Sequence, residues 1–379
     1  MRIINTCRFL NENFGYHDNI FPYYQSKLGN EVITITSTIQ DFIFGKKHQL
    51  EKGIYWERNV KVLRLDYYYK QGTRFIKLKN FYEELKKFKP DIIFCHGILP
   101  INFFEVIKYK KKNKCKLFID NHADLDNSAK NKLWRILFYG FFLKLLYKKY
   151  DKYIDKYYGV TPYRIDFLVN LIGIPKEKVN LLPLGYEDDE INKVKREKFF
   201  FEKKYKIKIK ETDKIIVFGG KIDSKKKFDN VLEAFNRLNR DDFKVIIFGK
   251  INCEKVKLMI EENENIHFLG WKENKEKYEI LINSDLAIWP KFHTTLIEDC
   301  LGSELPMLIF KNRNSEHLLE RGNGLFLKNS SVDEILNKLK IILEDKKLNI
   351  LKAKAKEAKK DFSYYNITKN FLEGIKELG

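Results

Sequence analysis

Cysteine is scarce in this chain. Its 379 residues hold five, Cys7, Cys95, Cys115, Cys253 and Cys300, scattered and without a CxxC pair. That excludes a disulfide scaffold and makes a reducing, cytoplasmic setting the expectation. No histidine stands at metal-ligand spacing along the chain, so no metal site is expected. Eight prolines and nineteen glycines are too few for a collagen-like or linker-dominated chain. Arginine is short as well: of 72 basic residues only 12 are Arg and 60 are Lys. Readers of bases and phosphates favour the bidentate arginine fork, so the net charge of +20 does not point to nucleic acid. It divides between a compositional bias towards Lys, Ile, Asn, Phe and Tyr with a solvated surface, and attraction to an anionic partner, for which phosphates or anionic lipids serve equally.

Long apolar runs are missing too. The most apolar stretch, LWRILFYGFFLKLLY at 133–147, has fifteen residues and contains Arg135 and Lys144. It falls short of the roughly 20 residues that cross a bilayer. It reads either as a helix resting on an anionic membrane surface, with Lys148, Lys149 and Lys152 as its basic flank, or as a long, mostly buried helix, the preferred reading. Met1-Arg2 leads into IINTCRFL without a small-residue cleavage site, so no signal peptide is expected.

What is present suits two domains of roughly 150–200 residues. With 44% hydrophobic and 33% charged residues, full cores can form. Short β-branched runs alternate with helical patterns in both halves. EVITITS (31–37), DIIFCHG (91–97), KLFIDNH (116–122), KIIVFGG (214–220), KVIIFGK (244–250), NIHFLG (265–270) and DLAIWP (285–290) read as strands. Several are continuously apolar, as strands covered on both faces require. The alternation predicts α/β architecture, two doubly wound parallel sheets. The rhythm pauses between Leu182 and Asp213, in a charge-rich stretch that places a junction near Pro183–Lys195. In such sheets ligands bind outside the carboxyl ends of the strands, which directs attention to the loops there.

Four loops stand out. Gly15, with Tyr16 beside it, lies between the first strand and a helix starting near His17–Asn19, where the backbone can approach an anion. GxGxxG is lacking, and such glycines often only turn the chain. Gly219-Gly220, Lys221 and Lys225–Lys227 end a strand just before a helix, as a phosphate cradle does or as a solvated lysine run does. Glu298 and Asp299 lie where a carboxylate can accept from ribose hydroxyls, or simply favour a helix N-terminus. His122 directly follows a strand, placed either for proton transfer or for structure. Asp120, Asp124 and Asp126 lack the glycine and distal glutamate of a calcium loop, so no metal is expected there.

Taken together, these pieces resemble the family 4 glycosyltransferases. FGYHDNIFPYYQSKLGNEVITITS looks like that family's opening, and YYGVTPYRIDFLVNLIGIPKEKVNLLPLGYE at 157–187 like its segment before the junction. GKIDSKKKFDNVLEAF is similar to its "GRL…KG…li.Af" motif, NIHFLGWKENKEKYEILINSDLAIWP to the following stretch, and FSYYNITKNFLEGI to its terminal helix. The resemblance implies the GT-B fold, two Rossmann-like domains facing a cleft: 1–185 on the acceptor side, 186–361 for the nucleotide sugar, and a helix, 362–379, crossing back. It also implies retention of configuration, no metal, and no cofactor beyond the nucleotide-sugar donor.

By the same resemblance Lys221 replaces the diphosphate-binding Arg, and Lys226 matches the family's Lys, both with catalytic roles. Lys227 stands where Gly is usual, His122 matches the sugar-facing active-site residue, and Gly15 the loop near the donor phosphates. Gly249 and Lys272 fall in loops expected to meet the base. Of the family's two glutamates, the second falls on Asp299 with Glu298 one residue off register. The first falls on Lys291, and the usual Gly after them on Glu304. The expected function is sugar transfer from a nucleotide-diphosphate donor to a glycan or lipid-linked glycan in polysaccharide biosynthesis (capsule, O-antigen or similar), by a cytoplasmic enzyme that can sit peripherally on the inner face of the membrane. A transferase-like binding subunit without turnover is the alternative, followed by a polyanion or nucleic-acid binding protein.

Overall fold

In the computed structural model, residues 1–12, 14–40, 49–71, 75–238 and 240–377 are described; of the loop before the first helix, Asn13 lies outside them. The chain divides into two units, Met1–Pro183 together with Ile367–Gly379, and Leu184–Asn366.

The first unit is built on an eight-stranded sheet. From one edge its strands run Val179–Leu181, Lys156–Gly159, Lys116–Asn121, Ile92–Cys95, Arg2–Thr6, Glu31–Ser37, Val60–Leu65 and Gly53–Glu57. All neighbours are parallel except the last pair. Ile92–Cys95 is buried at every residue, as a strand sandwiched by helices must be. The edge strand Gly53–Glu57 alternates instead, leaving Ile54 and Trp56 exposed. Its antiparallel, half-solvated pattern gives a weaker signal than the continuous runs. A separate hairpin pairs Tyr67–Gln71 with Phe75–Leu78. The final helix, Tyr364–Glu377, sends Ile367, Phe371, Leu372 and Ile375 into an apolar cluster with Phe21, Phe94, Phe118 and Tyr158 of this unit.

The stretch expected to be a mostly buried helix is helical throughout, in three consecutive segments: Lys132–Trp134, a π-helical Arg135–Leu143, and Lys144–Tyr150. Only one side is buried, through Phe138, Tyr139, Leu143 and Tyr147. Leu133, Ile136, Leu137, Phe141, Phe142 and Leu145 face solvent. The buried-helix expectation is therefore corrected: one side of a helix meets the unit, and among the described residues nothing covers the other. No described helix is long and apolar enough to cross a membrane.

The second unit holds six parallel strands in the order Ile266–Phe268, Phe243–Ile251, Lys214–Ile222, Leu286–Trp289, Met307–Phe310 and Gly324–Leu327. Its core gathers Val217, Phe218, Leu232, Ile246, Ile247, Ile288 and Leu308, each fully buried. The helix Phe228–Arg237 lays Val231, Leu232, Ala234 and Phe235 on this core and turns its polar side outward. The charge-rich stretch before the second sheet contributes to the core as well, because the short helix Phe200–Tyr205 buries Phe200 and Phe201.

Candidate active site

In the first unit three neighbouring parallel strands end at one level, and their following residues meet. Thr6 is level with Cys95, and Cys95 with Ile119. The backbone N–H of His96 donates to the Thr6 carbonyl at 2.8 Å, continuing that register. From these ends come His17, the first residue of helix His17–Lys27, then His96, Asp120 and His122. Asp120 is fully buried, His17 and His96 nearly so, and the His122 side chain is part-exposed. Asp120 Oδ2 lies 2.9 Å from His96 Nδ1, 3.1 Å from His122 Nε2 and 3.6 Å from His17 Nε2. Its Oδ1 accepts from the backbone N–H of Gly97 at 2.7 Å. Asp18 Oδ1 lies 3.3 Å from His96 Nδ1.

The electrostatics follow from burial and these contacts. Desolvation, with the neighbouring His96, drives His17 well below the ordinary histidine range. Burial would do the same to His96, but the Asp120 and Asp18 carboxylates outweigh it and raise its pKa. Burial alone would raise Asp120, yet His122 and His96 hold it well below the usual carboxylate range. The preceding loop is tied down by Arg64, fully buried in its strand, whose guanidinium donates to the Ser37 and Leu10 carbonyls at 3.1 and 2.9 Å. Gly15 and Tyr16 are exposed, with Tyr16 stacked on Phe14.

In the second unit the strand Lys214–Ile222 runs two residues beyond the expected Gly220, pairing Gly220 with Gly249 and Lys221 with Lys250. Gly249 has φ +117°, and a Cβ there would stand 2.1 Å from the Gly220 carbonyl oxygen, so this glycine is needed for the strands to approach. Lys221 is exposed and Lys226 is half-buried, on the turn Ser224–Lys226 that leads into helix Phe228–Arg237. Among the described residues neither lysine has an ion-pair partner. Burial lowers the Lys226 pKa and Lys221 adds to it, with only Asp223 opposing. A half-desolvated cation repelled by a second one gains from a neighbouring negative charge.

The two acidic candidates separate. Asp299 is engaged by Lys277 Nζ and by the Tyr278 hydroxyl, which donates to it, each at 2.7 Å. Glu298, 1% exposed, meets His293 Nε2 at 2.7 Å through Oε1, while its buried Oε2 has no hydrogen-bond partner. Lys291 lies over the ring of Phe292.

Residues 24–190 match the family model described as Glycosyltransferase Family 4, and residues 199–361 the one described as Glycosyl transferases group 1. The chain belongs to the family 4 glycosyltransferases. No curated protein matches its sequence. Among solved structures it is similar to a glycosyltransferase from Rickettsia africae (TM-score 0.71, 16% identity, covering 99% of this chain and 98% of that one). It is also similar to sucrose-phosphate synthase from Thermosynechococcus elongatus (0.67, 11%, 100% and 98%). A third is Anabaena HepE in complex with UDP and glucose (0.63, 12%, 100% and 100%). At such identities the likeness concerns the fold, which is GT-B with two Rossmann-like units.

In this transferase not every expected donor residue joins a cluster. Lys272 sits 5.0 Å from the Tyr205 ring centroid and 3.5 Å from Glu276, a local arrangement that occupies its charge. Gly219 is required by packing, since a Cβ would stand 2.6 Å from the Phe248 ring. The sequence reading missed His17, His96 and His293 as site residues. His96 had a readable signal, because it follows a strand as His122 does. His17 and His293 had none, as only the folded chain brings them to their partners.

Proposed function

We propose that this glycosyltransferase moves a sugar from a nucleotide-diphosphate donor to a hydroxyl acceptor, with retention and without a required metal or cofactor. The observation that carries the donor reading is the pair Lys221 and Lys226, unpaired among the described residues and one of them half-buried. They would stabilise the charge that grows on the leaving diphosphate, a preorganised electrostatic contribution to the transition state. Glu298 would accept from the ribose through its free Oε2. His122, fixed by Asp120, would face the transferred sugar. UDP in the HepE structure supports a uridine nucleotide as the first donor to try.

We place the acceptor among surface glycans, carried on lipid, and the enzyme on the cytoplasmic face of a membrane. The apolar side formed by Leu133, Ile136, Leu137, Phe141, Phe142 and Leu145 supports this, with Lys144, Lys148 and Lys149 exposed among and after them. Such a helix binds an anionic surface through both burial and charge.

A second reading, donor binding without transfer, is favoured by Lys291 at the place of the family's first glutamate. Incubation with a panel of nucleotide sugars and a lipid-extract acceptor decides between them. Release of nucleoside diphosphate, with the anomeric configuration of the product read by NMR, is the expected result. Nucleotide binding without release in any combination would establish the second reading instead.

A further inference from the structure

We propose that His17, His96, Asp120 and His122 form a tetrahedral site for a divalent cation of the zinc class. One ligand atom from each lies within 4.8 Å of all the others. Ligands held about 2.0–2.1 Å from a tetrahedral zinc stand roughly 3.3 Å apart. The distances from Asp120 Oδ2 to His96 Nδ1, His122 Nε2 and His17 Nε2 are 2.9, 3.1 and 3.6 Å and straddle that value, while the imidazole nitrogens, within 4.8 Å of one another, would draw together around the ion.

Hydrogen bonding by itself explains this cluster less well. Asp120 Oδ2 accepting from two imidazoles accounts for the two shorter contacts. His17 Nε2 stands at the same oxygen at 3.6 Å, beyond hydrogen-bond range. As an edge of a ligand tetrahedron that distance is ordinary. Three imidazoles and one carboxylate are a donor set that suits zinc. The remaining Asp120 oxygen is held by the Gly97 N–H at 2.7 Å, the outer-shell support that keeps a ligating carboxylate oriented. All four ligands stand at the carboxyl ends of adjacent strands or the helix start that follows, so they are held by the sheet. The part-exposed His122 gives the ion its way in.

Four protein ligands close the coordination sphere and use His122 Nε2. The ion would therefore not drive transfer but block it, reversibly. Metal binding stands on the geometry alone; the inhibition rests on the role proposed for His122.

The test uses the full chain, stripped with chelator, dialysed against zinc and then analysed for bound metal, with cobalt(II) as a spectroscopic substitute. One equivalent of zinc per chain and the intense visible bands of tetrahedral cobalt are expected. His122→Ala, a change at a part-exposed position, and Asp120→Asn should each weaken zinc binding more than ~10-fold. Circular dichroism identifies any variant that fails to fold, and the surface change at His122 keeps the comparison usable. Equal zinc binding by wild type and His122→Ala, or octahedral cobalt spectra, would overturn the site. Zinc bound at one equivalent with transfer undiminished would leave the site standing and overturn the inhibition.

Discussion

Glu298 and Asp299 are neighbours in the chain with opposite circumstances. Asp299 is held by Lys277 and Tyr278 at 2.7 Å each, whereas Glu298 keeps a buried Oε2 without a partner. Alignment with the family pattern favours Asp299 as the ribose contact, since it falls in register with Pro306. The geometry favours Glu298, because a carboxylate with a donor already on each oxygen, Tyr278 on Oδ1 and Lys277 on Oδ2, has less to offer a ligand. Glu298→Gln is expected to weaken nucleotide binding about 10-fold, a loss of ~1.4 kcal/mol, with stability little changed. Asp299→Ala should instead lower stability by about 1–3 kcal/mol, since it leaves the buried Tyr278 hydroxyl without its acceptor. Calorimetric titration with nucleotide and urea denaturation of both variants separate the two roles.

Lys227 and Glu304 share a backbone anomaly. Both stand where the family has glycine, and both adopt the left-handed conformation, at φ +60° and +58°. A side chain there is strained by roughly 1–2 kcal/mol, partly offset by glycine's greater freedom when unfolded. Lys227→Gly is expected to stabilise the protein by about 0.5–1 kcal/mol in urea denaturation. Glu304→Gly should gain less, because it also removes the 3.0 Å contact with Lys359.

Asp285 governs part of the acid response. Burial would raise its pKa, but Lys352 at 2.6 Å, the Ile215 N–H at 2.9 Å and Arg196 hold it below the usual value. A carboxyl depressed in the folded state contributes stability that is present above its unfolded pKa, near 3.9, and is lost as pH falls through the folded one. Asp285→Asn should therefore be less stable than wild type at pH 7, with the difference shrinking as acid is added below about pH 4. Chemical denaturation across that range measures it.

The exposed apolar side of the 133–150 helix predicts binding to vesicles containing anionic lipid. Phe141→Ser with Phe142→Ser should reduce co-sedimentation by about 10-fold or more, since each ring contributes on the order of 1.5–3 kcal/mol when buried. Raised salt should weaken the same binding through Lys144, Lys148 and Lys149.

Much of the fold was legible because its central strands are continuous apolar runs. DIIFCHG and DLAIWP could hardly be anything but strands covered on both sides. Gly53–Glu57 and the paired strands Tyr67–Gln71 and Phe75–Leu78 were not, since an edge strand such as Gly53–Glu57 alternates with solvent and carries aromatics such as Tyr55 and Trp56. Lys221 and Lys226 were readable from the glycines and helix around them. The histidine cluster was not, because residues 17, 96 and 122 are joined only by the order of parallel strands. The choice between Glu298 and Asp299 was equally closed to sequence, as it depends on Lys277 and Tyr278 reaching one carboxylate and not the other.

The central claim is that Lys221 and Lys226 hold a nucleoside diphosphate. Thermal shift with UDP, GDP, ADP, TDP and CMP, on wild type and Lys226→Ala, tests it most directly. A ligand at 100 times its dissociation constant adds about 2.7 kcal/mol of stability, a readily measured shift. We expect one diphosphate to stabilise wild type and to leave Lys226→Ala unmoved. No shift with any nucleotide, or equal shifts in both proteins, would contradict the account.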